Sequence, residues 1–227
     1  MKTFIDLQEG LFDPNIFKAF FLAGGPGSGK SYVVRMTTGG TGLKIVNSDD
    51  VFEKYIERAG LSKKMPDEEF DTREPLRQRA KKITKVKHDN YVDGRLGLIV
   101  DGTGGNYDKI AKQSIGLRQL GYDTHMIYVN TSLDTALERN AKRDRSVPKS
   151  IAITKWKEVQ TNLGKFSQHF KGNLVIVDNN DADEDVMTPI FKQIKSLLRK
   201  KVNSPEAHEW VQNQMKLRGI TKAPRGW

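Results

Sequence analysis

Gly24-Gly25-Pro26-Gly27-Ser28-Gly29-Lys30-Ser31 decides how this chain is read. The octet satisfies G-x-x-x-x-G-K-[ST] at every position, an apolar run at residues 19–23 precedes it, and a helix can begin at Gly29. Glycines let successive backbone N–H groups converge on an anion, and the helix aims its positive N-terminus at the same point. Gly25, Pro26, Gly27, Ser28 and Gly29 are therefore candidates to cradle the phosphates of a nucleoside triphosphate, ATP or GTP. Lys30 is placed to reach the β- and γ-phosphates, and Ser31 to coordinate Mg²⁺.

Strand and helix signals alternate on the C-terminal side of this loop. A helix over residues 29–37 stops at Gly39-Gly40, and residues 43–46 read as a second strand. Residues 51–59 continue as a helix closed by Gly60, residues 61–72 as an irregular connection with Pro66, and residues 73–93 as a basic helix. Further strands are expected at residues 96–100, 125–129 and 174–177, with helices at 107–120, 133–142, 150–170 and 183–201. This alternation calls for a parallel sheet of about five strands with helices on both faces, an α/β three-layer sandwich. Residues 1–202 make the expected domain; residues 203–227 read as a basic C-terminal appendage with a short helix at 206–217.

Candidate chemistry lies where the strands end. Asp49 closes the second strand, at the sheet edge where ligands bind, and a carboxylate there can take the proton of an attacking hydroxyl. Ser48, Asp49 or Asp50 can also cap the helix that follows, with Asp50 mainly a helix-terminus residue. Asp101 ends Leu98-Ile99-Val100; it either holds Mg²⁺ through water or starts a turn with Gly102. Arg139 and Arg143 are four residues apart on one helical face, Arg145 follows, and Val147-Pro148 ends the segment. Residues 139–150 thus suggest a lid whose cations, Arg139 and Arg143 foremost, meet the charge that develops in phosphoryl transfer, with Arg145 on the nucleotide. A solvated basic helix is the bland alternative.

The 227 residues carry a formal charge of +10, distributed unevenly. Residues 139–171 and 190–227 each hold nine Lys and Arg against two Asp and Glu, which suggests a polyanionic partner, nucleic acid or nucleotide. The absence of cysteine excludes disulfides, thiolate metal sites and a cysteine nucleophile, and fits a reducing cytoplasm. Asp6, Glu9 and Asp13 interrupt the first twenty residues, so no signal peptide is expected, and no apolar run is long enough for a membrane span.

Three motifs now stand in order: the phosphate-binding octet, Asn47-x-Asp49-Asp50, and Arg139-Asn140-x-Lys142-Arg143 before Val147-Pro148. Together they resemble the kinase domain of bacteriophage-type polynucleotide kinases and the wider group of zeta-toxin-like P-loop kinases, to whose third-strand motif Asp101-Gly102-Thr103 is similar. The resemblance covers roughly residues 19–200. It implies a nucleoside-kinase-like P-loop fold and transfer of the γ-phosphoryl group to a hydroxyl, with Asp49 as general base and Arg139 and Arg143 clamping the phosphates. The expected acceptor is a nucleic acid or a nucleotide. Alternatives are a nucleotide sugar or other small molecule, a hydroxymethylated base in DNA, or a low-turnover nucleotide-dependent nucleic-acid-binding protein. One departure bears on this choice: polynucleotide kinases carry an arginine three residues after the base, and here that place is Phe52, suited either to stacking on a base or to the core of its helix.

Overall fold

A computed structural model describes residues 10–181 and 184–224. Asp6, Glu9, Asp183, Arg225 and Trp227 lie outside the described residues. Five strands, β1 (Lys18–Ala23), β2 (Lys44–Val46), β3 (Leu98–Val100), β4 (Asp123–Asn130) and β5 (Leu174–Asp178), form one parallel sheet in the order β2-β3-β1-β4-β5. The register pairs Ala19 with Leu98 on one side and with Thr124 on the other, so β1 is central and its end is flanked by both neighbours.

Alternation along β1 builds the two outer layers. Phe17, Ala19 and Phe21 face one core, with Met126 and Tyr128 of β4. That layer is covered by α4 (Tyr107–Gln119), α6 (Lys149–Phe170) and α8 (Pro205–Leu217), which contribute Leu117, Phe166 and Val211. Phe20 and Leu22 face the opposite core, closed by α1 (Lys30–Thr38) and α7 (Glu184–Arg199) through Val33, Ile194 and Leu198. A separate small cluster joins α2 (Ser48–Arg58) to α3 (Phe70–Asp93) through Phe52, Ile56 and Ala80, beside the edge strand β2. α5 (Leu133–Lys142) lies between β4 and α6 in sequence.

Local physics moves several boundaries. Strand β3 starts at Leu98 instead of residue 96, because residues 95–97 turn out of α3: Arg95 has φ 56°, and a Cβ on Gly97 would stand 2.4 Å from the Asn15 carbonyl. Helix α3 begins at Phe70, not at 73; a 3₁₀ turn at Asp67–Glu69 feeds it, and Pro75 in the second turn forfeits only one backbone bond. The connection before it is tied down, with the Glu69 carboxylate accepting from Ser62 N at 2.9 Å and Arg73 Nη1 donating to Pro66 O at 2.9 Å. Phe52 is 1% exposed, with the Arg77 guanidinium over its ring at 4.5 Å, so it packs inside the α2–α3 pair instead of offering a stacking surface.

The end of the chain is folded as well. Ser204 caps α8, accepting from Ala207 N at 3.0 Å, and Ala207 and Val211 are buried. Trp210 meets Phe17 edge-on at 5.5 Å. Lys216, Arg218 and Lys222 remain exposed. Among the described residues no helix is long and apolar enough to cross a membrane.

Candidate active site

The octet forms the β1–α1 connection, and Lys30 is the first residue of α1. Gly29 caps this helix with φ 81° and no side-chain bond; Tyr32 N and Val33 N donate to its carbonyl, which leaves the N–H groups of Lys30 and Ser31 for an anion. Gly27 is required by space as well as by its φ of 79°, since a Cβ there would lie 1.9 Å from the Ala136 carbonyl of α5. Lys30 folds back over the loop and donates from Nζ to Gly24 O at 2.7 Å. Burial lowers its pKa and Arg143 adds to that, while Asp101 and Asp49 oppose it. Those four side chains form one electrostatic group. Ser31 is exposed on the first turn of α1.

On the other side, β2 and β3 deliver the carboxylates. The cap of α2 is Asn47, whose Oδ1 accepts from Asp49 N at 2.8 Å, so none of Ser48, Asp49 and Asp50 is needed as the cap. Asn47 Nδ2 also donates to Asp101 Oδ2 at 2.9 Å, joining the ends of the two strands. Burial raises the pKa of Asp101; Lys30 opposes the shift, and Asp49 and Asp50 reinforce it. Asp50 is raised too, by burial first and then by Asp49 and Glu53. Asp101 and Ser31 each carry a hard oxygen donor, the kind of ligand Mg²⁺ prefers alongside water and phosphate.

A cleft of about 560 Å³ opens between α3, α4 and the ends of β2 and β3. Asp101 and Thr103 lie at its floor edge, and Lys81, Lys85 and His88 of α3 face Lys109 of α4 around it. The sequence shows Lys81 and Lys85 only as part of a basic helix and gives no sign that they share a cleft with Lys109.

The arginines of the lid segment go to three different places. Arg139 donates to Asn179 O at 2.5 Å and to Asn180 O at 2.7 Å, the loop after β5. Arg143 ends α5, exposed, and its charge acts on Lys30 and Asp101. Arg145 pairs through Nη2 with Asp49 Oδ2 at 2.7 Å, while its Nη1 is buried without a partner. The connection they sit on carries its own bonds: Asn140 exchanges two with Val147, and Lys64 Nζ donates to Arg143 O at 3.0 Å.

Two asparagines that sequence reasoning passes over hold the loops in place. Asn179 Nδ2 donates to Ser28 O at 2.7 Å, and Asn162 Nδ2 donates to the carbonyls of Gly104 and Gly105, each at 3.0 Å. A polar residue after an apolar strand is too common a pattern to single out Asn179.

The family model for zeta toxin matches residues 13–188, most of the chain. The chain belongs to the zeta toxin family. Of the two groups its motifs resemble, it is thus the zeta-toxin-like one that is shown, and the chain is a P-loop kinase of that family. No curated protein sequence matches it. Among solved structures, a candidate kinase from Chloroflexus aurantiacus j-10-fl is 17% identical over 79% of this chain and 97% of its own, with a TM-score of 0.56, and shares the fold. Deoxyadenosine kinase from M. mycoides, with bound dATP, is 18% identical over 80% of this chain and all of its own, with a TM-score of 0.48. A gluconokinase from Sinorhizobium meliloti 1021 is 15% identical over 89% and 98%, with a TM-score of 0.46. The zeta toxin match spans the sheet, the phosphate-binding loop and the arginine segment, and ends within α7, before α8.

Proposed function

We propose that this zeta-toxin-family kinase moves the γ-phosphoryl group of ATP or GTP onto a hydroxyl of a small, phosphate-bearing acceptor of the nucleotide-sugar type. The cleft beside Asp101 carries this reading. Its volume of about 560 Å³ suits a small molecule, and Lys81, Lys85 and Lys109 supply cations for an acceptor's own phosphates. Stacking of an acceptor base finds no support at these two rings: Phe52 is packed in the core, and Trp210 packs edge-on against Phe17.

In this reading, the loop N–H groups and Lys30 hold the β- and γ-phosphates. Ser31 and Asp101 would hold Mg²⁺, which when bound neutralises charge on the same oxygens. The acceptor oxygen attacks the γ-phosphorus, the bond to the β-phosphate oxygen breaks, and the acceptor's proton passes to Asp49. Arg143, beside Lys30, faces the charge on the equatorial oxygens. Arg145 holds the Asp49 carboxylate until an acceptor arrives.

The test offers γ-labelled ATP with a panel of nucleotide sugars, nucleosides, 5′-hydroxyl DNA and RNA, and hydroxymethyl-base DNA. Label on a nucleotide sugar, lost in Lys30→Ala, is the expected result. Label confined to a nucleic acid, or ATP binding with no acceptor labelled, overturns the proposal.

A further inference from the structure

Asn179 stands where three parts of the site meet. It follows β5, is 3% exposed, and its backbone N donates to Asn130 O at 2.9 Å, fixing it to the end of β4. Its side-chain amide donates to Ser28 O at 2.7 Å inside the phosphate-binding loop. Its own carbonyl accepts from Arg139 Nη1 at 2.5 Å, and Arg139 Nη2 donates to the next carbonyl, Asn180 O, at 2.7 Å. The fit against the loop is tight: a Cβ on Gly29 would lie 2.2 Å from Asn179 Nδ2.

Peptide planarity gives this arrangement a consequence. In a trans peptide the C=O of one residue and the N–H of the next point in opposite directions. An amide that holds the Ser28 carbonyl to the back of the loop therefore turns the Gly29 N–H toward the cradle where phosphate binds. A guanidinium that commits two donors to the carbonyls behind Asn179 fixes that amide in turn, and it sits on α5, the helix that leads into the segment bearing Arg143 and Arg145.

We propose that Asn179 is a positioning residue for nucleotide binding, and that Arg139 acts on the nucleotide through Asn179 instead of gripping the γ-phosphate. This rests on nucleotide binding at the octet and on nothing about the acceptor.

The experiment measures the affinity of the full chain, with Mg²⁺, for fluorescently labelled ATP and ADP, together with melting temperatures. Asn179→Ala, Asn179→Asp, Arg139→Lys and the double variant Arg139→Lys/Asn179→Ala are compared with the wild type. Asn179→Asp keeps the size but faces the Ser28 carbonyl with an oxygen. Each Asn179 variant is expected to weaken ATP and ADP alike, by about tenfold, the cost of one unmade buried hydrogen bond. Arg139→Lys shows the same equal loss, and the double variant is no weaker than the weaker single one, as expected for groups acting in series. A loss on Arg139→Lys confined to ATP, or additive losses in the double variant, overturns the proposal. So does an Asn179→Ala protein with a lower melting temperature and unchanged affinities. Should the Asn179 variants fail to fold, the ATP-against-ADP comparison on Arg139→Lys decides alone. A wild-type chain that binds neither nucleotide overturns this and the proposed function together.

Discussion

Asp49 and Asp50 are neighbours in sequence with different surroundings. Both are exposed, but Asp49 is bound by Arg145 and lies within the charge group of Lys30 and Asp101, whereas partial desolvation and then repulsion from Asp49 and Glu53 raise the pKa of Asp50. A base acts on the acceptor and not on the nucleotide. Asp49→Asn is therefore expected to slow transfer by about 10²-fold or more with ATP affinity little changed, and Asp50→Asn to do much less. Steady-state kinetics and ATP binding on the two variants check this, and a reversed order would move the base by one position. Asp49 could be found as a strand-end carboxylate; its partner Arg145 lies 96 residues away, and only folding reveals the pair.

At the scale of elements, α3 has two jobs on two sides. Ala80 packs against α2, while Lys81 and Lys85 turn to the cleft. Adjacent residues on a helix point about 100° apart, so one stretch serves the core and the site at once. Lys81→Ala with Lys85→Ala should raise the KM for a phosphate-bearing acceptor by about tenfold or more, since each charged contact contributes up to a factor of that order. Nucleotide affinity should stay as it is, because neither lysine contacts the loop. Equal acceptor KM in both proteins would remove α3 from the acceptor site. The basic character of α3 was legible in its composition. Its role was not, because the facing cation, Lys109, comes from α4 across the ends of the strands.

For the molecule as a whole, two features away from the site set stability. His125 on β4 is 2% exposed and stacks on Phe20 at 4.8 Å, with neither ring nitrogen bonded. Burial pushes its pKa down to about 4 from 6.5; Lys18, Lys200 and Arg118 push the same way, and Asp123 opposes them. Between those values the unfolded chain binds the extra proton and the folded chain does not, so stability rises with pH there. The contribution is complete above pH 6.5 and lost as the pH falls to about 4, a change of about 3 kcal/mol. Denaturant titrations across that window should show the loss, and His125→Phe should flatten it. The second feature is α8, whose Ala207, Trp210 and Val211 pack on the core around Phe17. Removing residues 203–227 should lower the melting temperature by several degrees through that lost burial, and leave ATP affinity unchanged in the folded protein. A truncated chain that melts at the wild-type temperature would return this segment to an independent appendage.

The sequence alone determined the sheet and the loop. An apolar run followed by a glycine-rich octet and a helix start has one stable solution, because only that backbone lets N–H groups converge on an anion. The alternation of strands and helices then required a parallel sheet covered on both faces. What only the tertiary structure decided is the company each residue keeps. Phe52 is core because α3 folds over it and lays Arg77 across its ring. Arg139 faces carbonyls and Arg145 a carboxylate because β5 and β2 end on opposite sides of β1. Trp210 is a packing residue because α8 returns to Phe17 at the start of the central strand. A single sequence lists charges and rings in order; which of them meet depends on contacts between residues far apart in the chain.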